Sequence, residues 1–142
     1  SYNSNRFLIY GLLRDMGLNV IDLGIVPDDY SKTLAMLSRA GEVADVIISS
    51  GGVSVGEEDH VKAAVRALGS VNIWKVAMKP GKPFLLGEIN GKPLLGLPGN
   101  PVSTFVSFFV FAKPFLKATQ GLREVAPNEL LRYLRLLEWG PQ

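Results

Sequence analysis

The sequence predicts an α/β fold, a three-layer sandwich in which helices cover both faces of a mostly parallel sheet. Segments with helical periodicity alternate with short apolar strands along most of the chain, an order typical of this class. The predicted strand at residues 45–49 is rich in β-branched apolar residues on both faces, as parallel strands between two helix layers are. Asn90 and Gly91 lie between two apolar runs, so residues 84–97 should form an antiparallel hairpin.

The predicted helices and strands follow one another with clear boundary residues. The helices cover residues 5–16, 30–40, 58–68 and 102–117, and the strands cover residues 19–23, 45–49, 71–78, 84–89 and 92–97. Ser4 and Asp29 are N-cap candidates for the first two helices, and Gly17 can end the first one in a left-handed conformation. Pro114 lies inside the last helical pattern, so we expect a kink or a break near Phe111.

The chain divides into one predicted domain and a short C-terminal region. Its 142 residues are enough for one domain with a sizeable core, which we place at residues 1–121. Residues 122–142 are then a C-terminal extension or the start of a truncated next domain. Within that region, leucines at helical spacing predict a further helix over residues 128–138.

The composition argues against several classes of function. The chain has no cysteine, which removes disulfides, thiolate catalysis and structural zinc, and which fits a cytoplasmic location. The net charge of +2 is small, and the aromatic residues do not alternate with basic ones, so no nucleic-acid partner is expected. The longest apolar run is far shorter than the ~20 residues of a membrane span, so we expect a soluble protein without a membrane partner.

A glycine-rich loop at residues 50–56 follows the predicted strand at residues 45–49. Glycines allow a backbone to approach a ligand closely, and the N-terminus of the helix that follows favours an anion. The loop matches neither of the two common glycine patterns of nucleotide-binding proteins. From the residues alone, it is either an anion-binding loop or a tight turn.

Carboxylates stand beside two of the predicted loops. Asp29 is placed to cap a helix, which leaves Asp28 free to face a ligand. Glu57 and Asp59 could hold Mg²⁺ beside a phosphate, because hard cations prefer carboxylate oxygens. The alternative is that these acidic residues only stabilise a helix N-terminus, and for Glu58 that alternative is the better one.

Three lysines surround a Pro-Gly turn, namely Lys75, Lys79 and Lys82. Lys75 and Lys79 would lie on the same face if the strand continues to residue 78. The three amines form either an oxyanion site, through charge-assisted hydrogen bonds, or a solvated basic edge.

Three of the loops should meet at one end of the sheet. Residues 25–29, 50–59 and 98–103 follow predicted parallel strands, and α/β folds bind ligands at the carboxyl ends of such strands. Asn100 as N-cap and Pro101 as the first helical residue would begin the helix after the third loop. These residues predict a domain that binds a phosphorylated or otherwise anionic ligand, without naming that ligand.

Three segments in these regions resemble signature motifs of the molybdopterin molybdenumtransferases, the MoeA family, which is similar to the E domain of gephyrin and of plant Cnx proteins. They are Ser49–Asp59 (SSGGVSVGEED), Met78–Pro83 (MKPGKP) and Gly96–Ser103 (GLPGNPVS). The resemblance runs from about residue 2 to residue 121, with the motifs in the family's order and near its spacing.

The resemblance implies a reaction in molybdenum cofactor biosynthesis. Molybdate would be inserted into adenylylated molybdopterin with the help of Mg²⁺, and AMP would be released. Two alternatives remain: a molybdopterin-binding or scaffolding module without catalysis, and a molybdopterin adenylyltransferase of the same fold. The glycine-rich loop and the Lys-Pro-Gly-Lys-Pro segment match the insertion branch better than the adenylyltransferase branch.

The resemblance also suggests roles for individual residues. Catalytic roles are expected for Asp28, Asp59, Lys75 and Lys79. Substrate contacts are expected from Ser50, Gly51, Gly52, Val53, Ser54, Lys82, Pro98, Gly99, Asn100, Pro101 and Ser103. The expected metal ligands are Asp28, Glu57 and Asp59. Family members are much longer and form homodimers, so this chain can be inactive alone, and the adenylyltransferase is a further expected partner.

Overall fold

The computed structural model describes the backbone of residues 2–26, 29–50, 59–75, 83–97, 101–122 and 134–139. The α-helices are α1 (Tyr2–Asp15), α2 (Tyr30–Val43), α3 (Asp59–Leu68), α4 (Pro101–Ser107) and α5 (Lys113–Leu122), with a π-helical turn (Phe108–Ala112) between the last two. The strands are β1 (Val20–Val26), β2 (Val46–Ser50), β3 (Gly69–Lys75), β4 (Pro83–Ile89), β5 (Lys92–Leu97) and β6 (Leu134–Trp139). Among these residues, no helix is long and apolar enough to cross a membrane.

The six strands form one sheet in the order β1-β6-β2-β5-β4-β3. The neighbours β1–β6, β6–β2 and β2–β5 are parallel, whereas β5–β4 and β4–β3 are antiparallel. Five strands therefore run in one direction, and β4 alone is reversed. The predicted mostly parallel sheet with an antiparallel hairpin is confirmed.

Helices cover both faces of this sheet and form two separate cores. Val46 and Ile48 of β2 pack in one core with side chains of α1, the π-helical turn and α5, while Ile47 packs in the other with side chains of α2 and α3. Successive residues of a strand point to opposite faces, so each face of β2 belongs to one core. Full burial of an aliphatic side chain of this size contributes about 1.5–3 kcal/mol. The predicted three layers are thus confirmed.

The β4–β5 hairpin turns at the two residues that predicted it. Asn90 has a φ of 50° and Gly91 a φ of 81°. Positive φ at both central residues is the requirement of a type I′ turn, whose twist matches that of the flanking strands. The turn fixes the register, in which Ile89 faces Lys92 and Leu85 faces Gly96.

The helix boundaries predicted at Asp29, Gly17 and Pro101 are confirmed, and the N-cap predicted at Asn100 lies outside the described residues. The Asp29 side chain accepts a hydrogen bond from the Lys32 N–H at 3.3 Å, so Asp29 is the N-cap of α2. Gly17 has a φ of 79°, and the bonds that close α1 include Gly17 N–H to the Arg14 carbonyl and Leu18 N–H to the Leu13 carbonyl. The N-cap assigned to Ser4 is wrong, because α1 already begins at Tyr2.

The irregularity expected near Phe111 is a π-helical turn. The Lys113 N–H donates to the Phe108 carbonyl, five residues back, instead of to the residue four back. Pro114 follows directly and has no N–H to continue the regular ladder. The wider turn accommodates that missing donor, so the helical path continues from α4 into α5.

The helix predicted over residues 128–138 is wrong for its last part, because residues 134–139 form β6. β6 lies inside the sheet, with Leu134 beside both Val20 of β1 and Val46 of β2. A strand with parallel partners on both sides is buried on both faces and does not need alternating polar residues. The spacing of its leucines is therefore also compatible with the apolar stripe of a helix. The sheet therefore continues past residue 121, the boundary predicted for the domain.

Candidate functional site

One edge of the sheet collects the ends of the strands that precede the predicted loops. Ser50 ends β2 and is the register partner of Leu97, which ends β5. β1 ends there with Val26, the register partner of Trp139 in β6. This edge, hereafter the carboxyl edge, is where open α/β sheets bind ligands.

The two antiparallel neighbours reach the same edge. Lys75, the last residue of β3, is the register partner of Pro83, the first residue of β4. With neighbouring strands about 4.8 Å apart, Lys75 and Ser50 are separated by roughly 14 Å across the sheet. The predicted strand is described as far as Lys75, whereas residues 76–78 and Lys79 lie outside the described part of the chain, so the pairing of Lys75 with Lys79 on one strand face stays a prediction.

Ser50 is the predicted site residue that the structure describes most fully. Its side chain is completely buried, and its hydroxyl oxygen has no hydrogen-bond partner within the described part of the chain. A buried hydroxyl without a partner costs about 1–3 kcal/mol, so such an atom in a folded domain calls for an explanation. A ligand or a neighbouring loop at the carboxyl edge would supply the missing partner.

Two helices begin at the carboxyl edge. α3 starts at Asp59, after the loop that follows β2, and α4 starts at Pro101, after the loop that follows β5. Their backbone N–H groups and partial positive charge favour an anion at this edge. The first turn of α4 also carries Thr104, which is fully buried and which the sequence did not single out.

The structure describes only some of the predicted site residues. The backbones of Ser50, Asp59, Lys75, Pro101 and Ser103 lie at the carboxyl edge, and of these only the side chain of Ser50 is described. The remaining predicted residues lie outside the described part: Asp28, Gly51, Gly52, Val53, Ser54, Glu57, Lys79, Lys82, Pro98, Gly99 and Asn100. Their roles stay predictions.

The described residues contain no group of three or more metal-binding side chains. The Asp29 carboxylate caps α2, as predicted, and the role of Asp28 stays a prediction. Sequence reasoning missed Glu138, which is the register partner of Ser50 across the β2–β6 pair. No local signal could have found it, because the segment reads as a helix and the pairing is long-range.

Comparison with known proteins agrees with this arrangement. A family model described as "Probable molybdopterin binding domain" matches residues 1–118. The chain is 44% identical over 123 residues to the molybdopterin molybdenumtransferase of Haemophilus influenzae, covering 87% of this chain and 30% of that protein. The chain thus spans about a third of the length of this relative.

Solved structures share the fold. The molybdopterin biosynthesis MoeA protein of Pyrococcus horikosii aligns with a TM-score of 0.54 and 27% identity, over 76% of this chain and 39% of that one. The CinA protein of Thermoplasma acidophilum aligns with a TM-score of 0.64 over 80% of this chain and 88% of that one, and at 20% identity this likeness concerns the fold alone. Taken with the sheet order and the carboxyl edge, the match over residues 1–118 shows that the chain belongs to the family of molybdopterin-binding domains.

Proposed function

We propose that this chain is the molybdopterin-binding part of an enzyme that inserts molybdate into adenylylated molybdopterin. The observation that carries the proposal is the buried hydroxyl of Ser50 at the carboxyl edge, which has no hydrogen-bond partner among the described residues and stands where the glycine-rich loop begins. Two helix N-termini face the same edge, and together these groups suit the phosphate of a pterin ligand. The relative from Haemophilus influenzae is named for the proposed transfer.

The proposed mechanism divides the work between cations and carboxylates. Lys75, Lys79 and Lys82 would stabilise the negative charge of molybdate and of the phosphate while the adenylate bond breaks. Ser54 and Ser103 would donate hydrogen bonds to the same ligands. Molybdate is a dianion, so donors from several sides help it exchange its hydration shell for protein contacts.

Mg²⁺ is the proposed metal, held by Asp28, Glu57 and Asp59. The carboxylate chemistry of this set fits a hard cation, and Asp59 begins α3 at the carboxyl edge. The ion would neutralise charge on the phosphate that leaves with AMP. We further propose a cytoplasmic homodimer that receives its substrate from a molybdopterin adenylyltransferase.

The competing proposal is a binding module without catalysis. The chain spans only 30% of the length of its relative, so groups supplied by other regions can be required for turnover. The two proposals differ in what Asp59→Asn changes. In a catalytic domain the variant should lose AMP release far more than pterin affinity, because a carboxylate that positions Mg²⁺ acts mainly on the transition state.

The experiment mixes the protein with adenylylated molybdopterin, molybdate and Mg²⁺, and follows AMP release beside equilibrium binding of the pterin. Gly52→Val should abolish binding by blocking the approach of the backbone, with Gly11→Ala, in the middle of α1, as the matched control. Pterin binding without AMP release would establish the binding module. Unchanged pterin affinity in a folded Gly52→Val variant would contradict both proposals.

A further inference from the structure

A cavity of about 280 Å³ lies away from the carboxyl edge. It is bounded by the C-terminal part of α1 on one side and by the π-helical turn and α5 on the other. α1 leads into the first residue of β1, whereas the carboxyl edge lies at the last residue of that strand. The cavity is therefore at the opposite end of the sheet from the proposed pterin site.

The floor of this cavity is apolar. Leu12 and Met16 line it from α1, and both are partly buried against the same core as Phe108, which is only 1% exposed. The ring of Phe109 stands beside that of Phe108, with centroids 5.5 Å apart in an edge-to-face arrangement. Phe109 also contacts the Phe105 ring, with centroids 4.8 Å apart, and it is 38% exposed, so part of its ring remains accessible to a flat apolar group.

The rim of the cavity is charged. Lys113 and Lys117 lie one helical turn apart on α5, and Asp15 faces them from the end of α1. The Lys113 amine lies 5.2 Å from the centroid of the Phe109 ring, which holds a cation beside the aromatic surface. An apolar floor with two cations on one rim and one carboxylate on the other suits a ligand that has an apolar body, an anionic group and a hydrogen-bond donor.

The π-helical turn contributes to this arrangement. It supplies both Phe108 and Phe109, and Lys113 follows it directly. Insertions of this kind are uncommon and often lie at functional sites, because the wider turn redirects the side chains around it. Pro114 explains why the π-helical turn forms, and that turn places side chains around the cavity.

We propose that this cavity binds a small aromatic acid that also carries a hydrogen-bond donor. The ring would lie against Leu12, Met16 and the exposed part of Phe109, the carboxylate between Lys113 and Lys117, and the donor against Asp15. The cavity volume is near the lower end of the ~300–1,000 Å³ of small-molecule sites, which suits a ligand with a single ring. The site is independent of the proposed pterin site and does not rest on its function.

The test is a titration of the isotope-labelled 142-residue chain with 4-hydroxybenzoate, followed by NMR. We expect amide shifts confined to residues 12–16 and 108–117. The uncharged 4-hydroxybenzyl alcohol should bind roughly threefold more weakly or worse, since an exposed ion pair contributes only modestly. Equal binding of the alcohol, or shifts centred on Ser50, would overturn the proposal.

Variants separate the charged groups. Lys117→Ala should weaken binding roughly threefold, whereas Lys32→Ala, which removes an exposed lysine from α2, should leave it unchanged. Asp15→Ala should weaken 4-hydroxybenzoate and not benzoate, which lacks the donor. Equal effects of Lys117→Ala and Lys32→Ala would overturn the assignment. Amide shifts at residues 12–16 and 108–117 that depend on protein concentration and not on 4-hydroxybenzoate would also overturn it, because a second copy of the chain would then cover the cavity.

Discussion

Ser50 and Leu97 are register partners in the parallel pair β2–β5, and each is the last residue of its strand. The loop after Ser50 and the loop after Leu97 therefore start side by side, about 4.8 Å apart. Two of the three family-like motifs run through these loops, although they lie far apart in the sequence. A single small ligand can thus be reached from both motifs.

The first prediction concerns the Ser50 hydroxyl. Ser50→Ala removes a buried polar atom that has no partner within the described residues, so the free energy of unfolding should stay within about 1 kcal/mol of the parent or rise. Pterin affinity should fall, because the ligand loses a hydrogen bond. Chemical denaturation and pterin titration measure the two effects. Ser107→Ala, a buried serine further along α4, is the control that should leave affinity unchanged.

The second prediction compares two glycines that both have open space around them. Gly91 has a φ of 81°, so Gly91→Ala should destabilise the protein by about 1–2 kcal/mol through the left-handed backbone alone. Gly11 lies inside α1 with no atom within 4 Å of an added Cβ, and Gly11→Ala should stabilise by about 0.5–1 kcal/mol. Denaturant midpoints should therefore move in opposite directions, and a shift of both in the same direction would contradict the hairpin geometry.

The third prediction tests Asp29 as a capping residue. Asp29→Ala leaves the Lys32 N–H without its side-chain acceptor and should cost about 1 kcal/mol of unfolding free energy. Asp29→Asn should recover most of that loss, because an amide oxygen also accepts the bond. Neither variant should change the rate of AMP release in an active protein. A large loss of rate with Asp29→Asn would place this residue in the site instead of Asp28.

The fourth prediction concerns β6. β1 pairs with β6 and with no other described strand, so a chain ending at residue 122 should lose the cooperative unfolding transition and tend to aggregate through its exposed strand edges. A chain ending at Trp139 is the matched control and should melt like the parent. Calorimetry and light scattering distinguish the two. A cooperative, monomeric chain ending at residue 122 would show that β6 is dispensable.

Local signals predicted the parts of the fold that local interactions determine. The Asn90-Gly91 turn, the Asp29 cap and the Gly17 ending each depend on the conformational preference of one or two residues, and each was found. Ser4 failed as a cap because the two residues before it, Tyr2 and Asn3, already belong to α1. Capping preferences are weak beside such continuity.

Long-range pairing was the part that the sequence could not reveal. The leucines of residues 134–137 fit a helical stripe, and only their position between β1 and β2 makes them a strand. The same limit applies to the site. The motifs point to loops as candidate sites, but the pairing of Glu138 with Ser50 and the burial of Thr104 depend on partners distant in the chain.

The central place of β6 also bears on how the protein acquires its structure during synthesis. Val20 is made well before Leu134, yet the two are neighbours in the sheet. Until the ribosome releases residues 134–139, β1 has no described strand to join and its backbone groups must stay in water. Contacts between such distant positions slow folding, because a long loop must close before they form. The nascent chain should therefore remain a client for chaperones until β6 has emerged.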